Sequence, residues 1–229
     1  MTIGIIGAMD EEIAHLKQLM EEKETKTVAN VTFTVGSIQD RKIILLKSGI
    51  GKVNAAMATT ILLEQYNPKT IINIGSAGGI DCTLQVGDVV IGEALVHHDV
   101  DVTAFDYEYG QVPQQPRFFT SDETLIEHAR SILTKMNVQT KVGLIATGDS
   151  FMHDETVIEK MKEVFPTVLA VEMEGAAIAQ VCYQYGIPFL AVRSLSDIAG
   201  SDSPISFDQF LTVAAQNATE LLTELIRTL

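Results

Sequence analysis

The sequence predicts an α/β fold: a single domain with a central mixed, twisted β-sheet flanked by α-helices on both faces. Three observations predict it. Short runs rich in Ile and Val alternate with longer segments of helical period. The 229 residues suffice for one large core, and no repeat, low-complexity tract or linker divides 1–229. Acidic and glycine-rich segments fall where the apolar runs stop, the place at which open α/β sheets bind ligands.

Taken in order, Thr2 to Gly7 reads as the first strand, and Glu11 to Glu22 as a helix entered through the acidic turn Asp10-Glu11-Glu12. Thr27 to Gly36 and Lys42 to Lys47 read as strands, and Asn54 to Tyr66 as a helix stopped by Pro68. Strands follow at Thr70 to Ile74 and Asp88 to Ile91. Thr103 to Pro116, with Pro113, Tyr107, Tyr109 and Gly110, reads as a long loop of the kind that often carries function. Asp122 to Met136 is a helix that Ser121-Asp122 can cap. The strands Val142 to Ala146, Val168 to Val171 and Phe189 to Arg193 then alternate with the helices Asp154 to Val164, Gly175 to Tyr185 and Phe207 to Leu229. Gly186-Ile187-Pro188 ends the second of these helices.

Thirty Asp and Glu against sixteen Lys and Arg leave a charge of −14, which argues against nucleic acid or an anionic membrane as partner. Hydrophobic residues at 46% describe a globular chain, and its apolar runs are too short to span a bilayer. The first residues read as a strand rather than a signal peptide, so a soluble cytoplasmic protein is expected. Cys82 and Cys182 are expected to be ordinary buried thiols, and no metal or cofactor is expected.

Several familiar patterns fail. Lys47 to Lys52 resembles a phosphate loop, but Val53 stands where a hydroxyl should bind magnesium and Leu46 where the first glycine should be. No glycine run has dinucleotide spacing, and Gly148 to Met152 lacks the last glycine of a nucleophile elbow. His97, His98, Asp99 and Asp101 alternate faces on an extended segment, so they read as surface or hydrogen-bonding groups rather than metal ligands.

Carboxylates at strand ends survive: Glu12 after the first strand, Glu172 and Glu174 after Val168 to Val171, and Asp197 after Phe189 to Arg193. Gly75 to Gly79 follows another strand and reads as a cleft floor that a ligand can approach closely. Each alone has a bland reading as a cap or turn. Together they suggest acid/base chemistry on a small polar molecule.

Gly7-Ala8-Met9 with Glu11-Glu12, Lys47 to Ala56, Gly75 to Gly79, His98 to Phe105, Ala170 to Glu174 and Arg193 to Asp197 closely resemble the bacterial 5′-methylthioadenosine/S-adenosylhomocysteine nucleosidases, a family of the purine nucleoside phosphorylase superfamily. The resemblance implies hydrolysis of the N-glycosidic bond of methylthioadenosine, S-adenosylhomocysteine and 5′-deoxyadenosine to adenine and the sugar, as in methionine salvage. It implies Asp197, positioned by Ser196, as the acid at adenine, and Glu12 as the base for water. Ser76 and Arg193 would share the water network, with Arg193 alternatively holding carboxylates in place. Glu174 would clamp the ribose hydroxyls, and Met9 and Met173 would pack the sugar. Phe151 and Phe207 would sandwich adenine over Gly78, and Met152 would bond the base through its backbone. Ile50, Ala77 and Glu172 complete the implied substrate-binding set. Relatives are homodimers, so Val102, Phe105 and Pro113 would come from the partner subunit.

Phosphate as the nucleophile would need a cluster of cations, whereas Arg193 alone sits in a strand-end motif, so water is preferred. The rival readings are a futalosine-type nucleosidase, a phosphate-dependent purine nucleoside phosphorylase, and a non-catalytic nucleoside-binding or storage protein.

Overall fold

The computed structural model of the chain describes residues 2–200, 215 and 218–229. The chain begins with β1 (Thr2–Gly7), α1 (Asp10–Leu19), β2 (Glu21–Val28), β3 (Val31–Ile38), β4 (Arg41–Lys47) and α2 (Lys52–Tyr66). It continues with β5 (Thr70–Gly79), β6 (Val89–His97), a 3-10 turn at Thr103–Phe105, and β7 (Phe119–Thr120). Then come α3 (Glu123–Lys135), β8 (Thr140–Thr147), α4 (Glu155–Val164), β9 (Val168–Glu172), α5 (Gly175–Tyr185) and β10 (Phe189–Ile198). Residues 218–228 are helical.

All ten strands of the described residues join one mixed sheet in the order β10-β6-β8-β9-β5-β1-β4-β3-β2, with β7 paired to β6. A further pairing of β10 with β5 closes β5, β10, β6, β8 and β9 into a ring, from which β1, β4, β3 and β2 extend as an open wing. β1 runs parallel to β5 as far as Asn73, and β9 meets the same strand antiparallel from Gly78. The sheet therefore splits along Gly75 to Ala77, as in a topological switch point.

Burial follows sequence. Alternate residues of β1 and β4 enter opposite layers: Ile6, Ile44 and Leu46 pack with α2 and α5, while Ile3, Ile5, Ile43 and Leu45 pack with α1, α3 and the C-terminal helix. Each such fully buried aliphatic contributes roughly 1.5–3 kcal/mol. Asp122 caps α3 by accepting from Leu125 N at 3.0 Å, and Gly186 ends α5 at φ 64°.

Four expectations need correction. Thr27 to Gly36 is not one strand: Ala29 and Asn30 both take positive φ (49° and 64°), making the tight turn of the β2–β3 hairpin. The first helix stops at Leu19, and Glu21 and Glu22 belong to β2, where their charges face solvent. The glycine run and Asp197 do not follow strands but lie within β5 and β10, which are longer than their apolar runs. His97 and His98 are buried, and of the two readings given for them His97 takes the hydrogen-bonding one, with Nε2 at 3.0 Å from Gln180 Oε1, whereas Cys82, expected to be buried, is exposed and Cys182 is buried. The 3-10 turn and β7, too short for a periodic signal, went unpredicted.

Candidate active site

A cavity of about 470 Å³ opens where the sheet splits, and Met9, Glu12, Ile50, Ser76, Ala77, Gly78, Phe151, Glu172, Met173, Glu174, Ser196 and Asp197 all line it. Ala8 and Val171 complete its wall. Met152 lies behind it, on an adjoining chamber of about 30 Å³ shared with Gly78 and Asp197. The structure therefore brings residues from the ends of six strands, β1, β4, β5, β8, β9 and β10, into one place.

Glu12 is the third residue of α1, where a carboxylate reaches back to the helix start: its Oε2 accepts from Ala8 N (2.7 Å) and Met9 N (3.1 Å). Its Oε1 accepts from Ser76 N (2.9 Å) and Ser76 Oγ (3.1 Å). The Ser76 N–H lies at the split, between the last β1 partner and the first β9 partner of β5, and the carboxylate takes the place of a strand. Glu12 is thus both a helix cap and a cavity group.

On β10 the register with β5 shifts between Leu195 and Asp197, a bulge that re-aims the chain at Ser196. Ser196 Oγ donates to Asp197 Oδ1 at 2.8 Å, and a Cβ on Gly78 would stand 3.1 Å from Asp197 Oδ2. Burial pushes the Asp197 carboxyl above the usual range, only partly offset by the Ser196 hydrogen bond.

Glu172 and Glu174 sit side by side with different partners. Glu172 accepts from Thr147 Oγ1, from Glu174 N (3.0 Å) and Gly175 N (2.7 Å), and from the Arg193 guanidinium at 2.7 Å. Burial, the largest single effect, raises its carboxyl, but the Arg193 charge and the hydrogen bonds from Arg193, Thr147 and Glu174 N together outweigh burial and hold it below the usual range. Glu174 accepts only Gly51 N, at 2.9 Å, among the described residues. Burial, then the neighbouring Glu172 charge, lifts its carboxyl from 4.5 to about 8.

Arg193, 1% exposed, is absent from the cavity wall. Its guanidinium binds Glu172 and Asn73 Oδ1, so of its two expected roles the structure favours holding a carboxylate over joining a water network. Asn73 in turn donates to Ile6 O at 3.0 Å. Asn73, Thr147 and the Gly51 amide escaped sequence reasoning. Asn73 had a readable signal, one amide inside the run Ile71-Ile72-Asn73-Ile74.

Phe207 lies outside the described residues. Val102, Phe105 and Pro113 stand away from the cavity of their own protomer, and Phe105 is 76% exposed. Among the described residues no group of His, Cys, Asp and Glu is arranged to hold a metal ion, and no helix is long and apolar enough to cross a membrane.

A carboxylate-lined cleft at the split of a mixed sheet defines a class, and the profile of the phosphorylase superfamily matches residues 2–227. The chain is 55% identical over 227 residues to the 5′-methylthioadenosine/S-adenosylhomocysteine nucleosidase of Oceanobacillus iheyensis, covering 99% of both. It superposes with a TM-score of 0.98 and 44% identity on the corresponding nucleosidase of Colwellia psychrerythraea bound to adenine, covering 100% of this chain and 96% of that one. The enzyme of Neisseria meningitidis in complex with methylthio-immucillin-A gives the same TM-score and identity, with 100% and 99% coverage. The chain belongs to the phosphorylase superfamily and, within it, to the 5′-methylthioadenosine/S-adenosylhomocysteine nucleosidase family.

Proposed function

We propose that this protein hydrolyses the N-glycosidic bond of 5′-methylthioadenosine and S-adenosylhomocysteine, and of 5′-deoxyadenosine, releasing adenine. The observation that carries the reading is the pairing of two differently held carboxylates across one cavity, Glu12 pinned by four donors and Asp197 buried with its carboxyl raised.

Bond cleavage puts positive charge on the sugar and negative charge on the departing base. Asp197, whose carboxyl burial raises above the usual range, gives a proton to the imidazole-side nitrogen of adenine, and Ser196 fixes the carboxyl that gives it. Glu12 takes a proton from water, and the Ser76 hydroxyl orients the carboxylate. The water oxygen forms the new bond to the anomeric carbon as the bond to adenine breaks. Glu174 accepts hydrogen bonds from the two ribose hydroxyls, and the cationic sugar draws its raised carboxyl back toward the ionised form. Met9 and Met173 pack the sugar, and Phe151 and Phe207 hold the base between them above Gly78, with the Met152 backbone at its edge.

Water, not phosphate, is the nucleophile in this reading. Arg193 is engaged by Glu172 and Asn73, and Glu12 would repel a dianion. The functional unit is a cytoplasmic homodimer of one-domain chains, in which Val102, Phe105 and Pro113 of one copy close the 5′ pocket of the other. Exposure of Phe105, which does not line the cavity of its own chain, supports this arrangement.

The test is adenine release from methylthioadenosine with and without phosphate, for the native protein and for Glu12→Gln and Asp197→Asn. Phosphate-independent release that falls at least about 10²-fold in each variant supports the hydrolase. Sugar phosphate as product identifies a phosphorylase, and tight binding without turnover a storage protein. Competition with a futalosine-type nucleoside decides the 5′ preference.

A further inference from the structure

We propose that Asp149 is a positioning residue for the sugar: it holds the start of α2 against Glu174, so that Glu174 keeps one oxygen on the protein and offers the other to the ribose. This rests on the reading of Glu174 as the ribose clamp.

The start of α2 has no cap of its own, because its N-cap is Gly51, with φ at 96°. Two carboxylates from elsewhere in the chain satisfy the first amides instead. Gly51 N donates to Glu174 Oε1 at 2.9 Å, and Lys52 N donates to Asp149 Oδ1 at 2.7 Å. These amides are consecutive, so the direction of one constrains the other. A Cβ at position 51 would stand 3.0 Å from Asp149 Oδ1, which shows how closely the two loops approach.

Asp149 is itself anchored. Its N–H donates to Asp99 Oδ2 at 3.0 Å, and Asp99 Oδ1 pairs with the Lys52 ammonium at 2.6 Å. The circuit Lys52, Asp149, Asp99 thus ties together the loops after β4, β6 and β8 at the cavity mouth. Two residues beyond Asp149, Phe151 lines the cavity. Glu174 Oε2 makes no hydrogen bond among the described residues, and with Oε1 held by Gly51 its carboxylate has a defined direction. Without Asp149 the Gly51 amide loses its constraint, and the clamp loses its aim.

A merely structural loss would weaken all substrates alike, whereas a misdirected clamp penalises only substrates that have the hydroxyls. Methylthioadenosine and its 2′,3′-dideoxy analogue are therefore compared on the native protein, Asp149→Ala, Asp149→Asn and Glu174→Gln, with melting temperatures to establish folding. Asp149→Ala is expected to cut at least tenfold from the native preference for the hydroxylated substrate, mainly through KM. Asp149→Asn, which retains an acceptor for Lys52 N, is expected to restore most of it. Equal loss on both substrates, or an Asn variant no better than Ala, overturns the proposal. If Asp149→Ala does not fold, Asp99→Ala, which removes the acceptor for Asp149 N, takes its place, with the same preference loss expected and an unchanged preference overturning the proposal. If Glu174→Gln abolishes the preference while Asp149→Ala keeps it, the role of Asp149 fails and the clamp stands. If Glu174→Gln keeps the preference, the clamp reading falls and this proposal with it.

Discussion

Gly75 and Glu12 contend for one space: a Cβ on Gly75 would stand 2.8 Å from Glu12 Oε1. The missing side chain lets a carboxylate from α1 lie against the β5 backbone and take the Ser76 N–H. The glycine is required here for close approach, since no positive φ is recorded for it.

Gly75→Ala is therefore expected to displace the Glu12 carboxylate and lower kcat on methylthioadenosine by about 10²-fold, with KM changed far less. Steady-state kinetics of Gly75→Ala, Glu12→Gln and the double variant check this. Since both act on one group, the double variant should be no slower than Glu12→Gln alone, and additive losses would count against the argument.

Arg193→Met leaves Glu172 buried without its cation and is expected to destabilise the fold by about 3–5 kcal/mol in urea unfolding. Adding Glu172→Gln removes the stranded charge, so the double variant should recover part of that loss. A double variant as unstable as the sum of both singles would show that the pair is not coupled.

The folded protein holds a proton on Glu174 at pH values where the unfolded chain has released it, since burial lifts the carboxyl from 4.5 to about 8. This contribution to stability is complete below pH 4.5 and is lost as pH rises to about 8, at up to about 1.4 kcal/mol per pH unit. Glu174→Gln, neutral throughout, should lack this slope and gain stability relative to the native protein between pH 5 and 8. Parallel stability curves for the two proteins would contradict the assignment.

The exposed Phe105 predicts complementation between subunits. Mixing inactive Glu12→Gln with a Phe105→Glu variant of low activity should restore turnover, because a mixed dimer holds one site with native Glu12 and native Phe105. Mixtures no more active than their components would argue that each protomer completes its own pocket.

The strands of the ring and most helices were legible because their apolar periodicity matches their burial. The ends of β5 and β10 were not: Ser76, Gly78, Ser196 and Asp197 are polar or small because they face a cavity, and the same chemistry erased the strand signal there. The β2–β3 turn was hidden because Ala29 is an uncommon residue at positive φ. The cavity-lining carboxylates could be named from their motifs, but not who holds them. Nothing in the spacing of Glu172, Arg193, Asn73 and Thr147 says that they converge, since strand pairing brings them together.

The wing of the sheet ends on β2, whose outward run Glu21, Glu22, Lys23, Glu24 and Lys26 is exposed. Any strand of another chain that docked along this edge would have to bring its own backbone between these charges. Such edges resist fibril-like stacking, and β1 and β4, which carry much of the apolar core, lie inside the sheet behind β3 and β2. A chain so rich in β-branched residues is thereby guarded along this edge against templated aggregation.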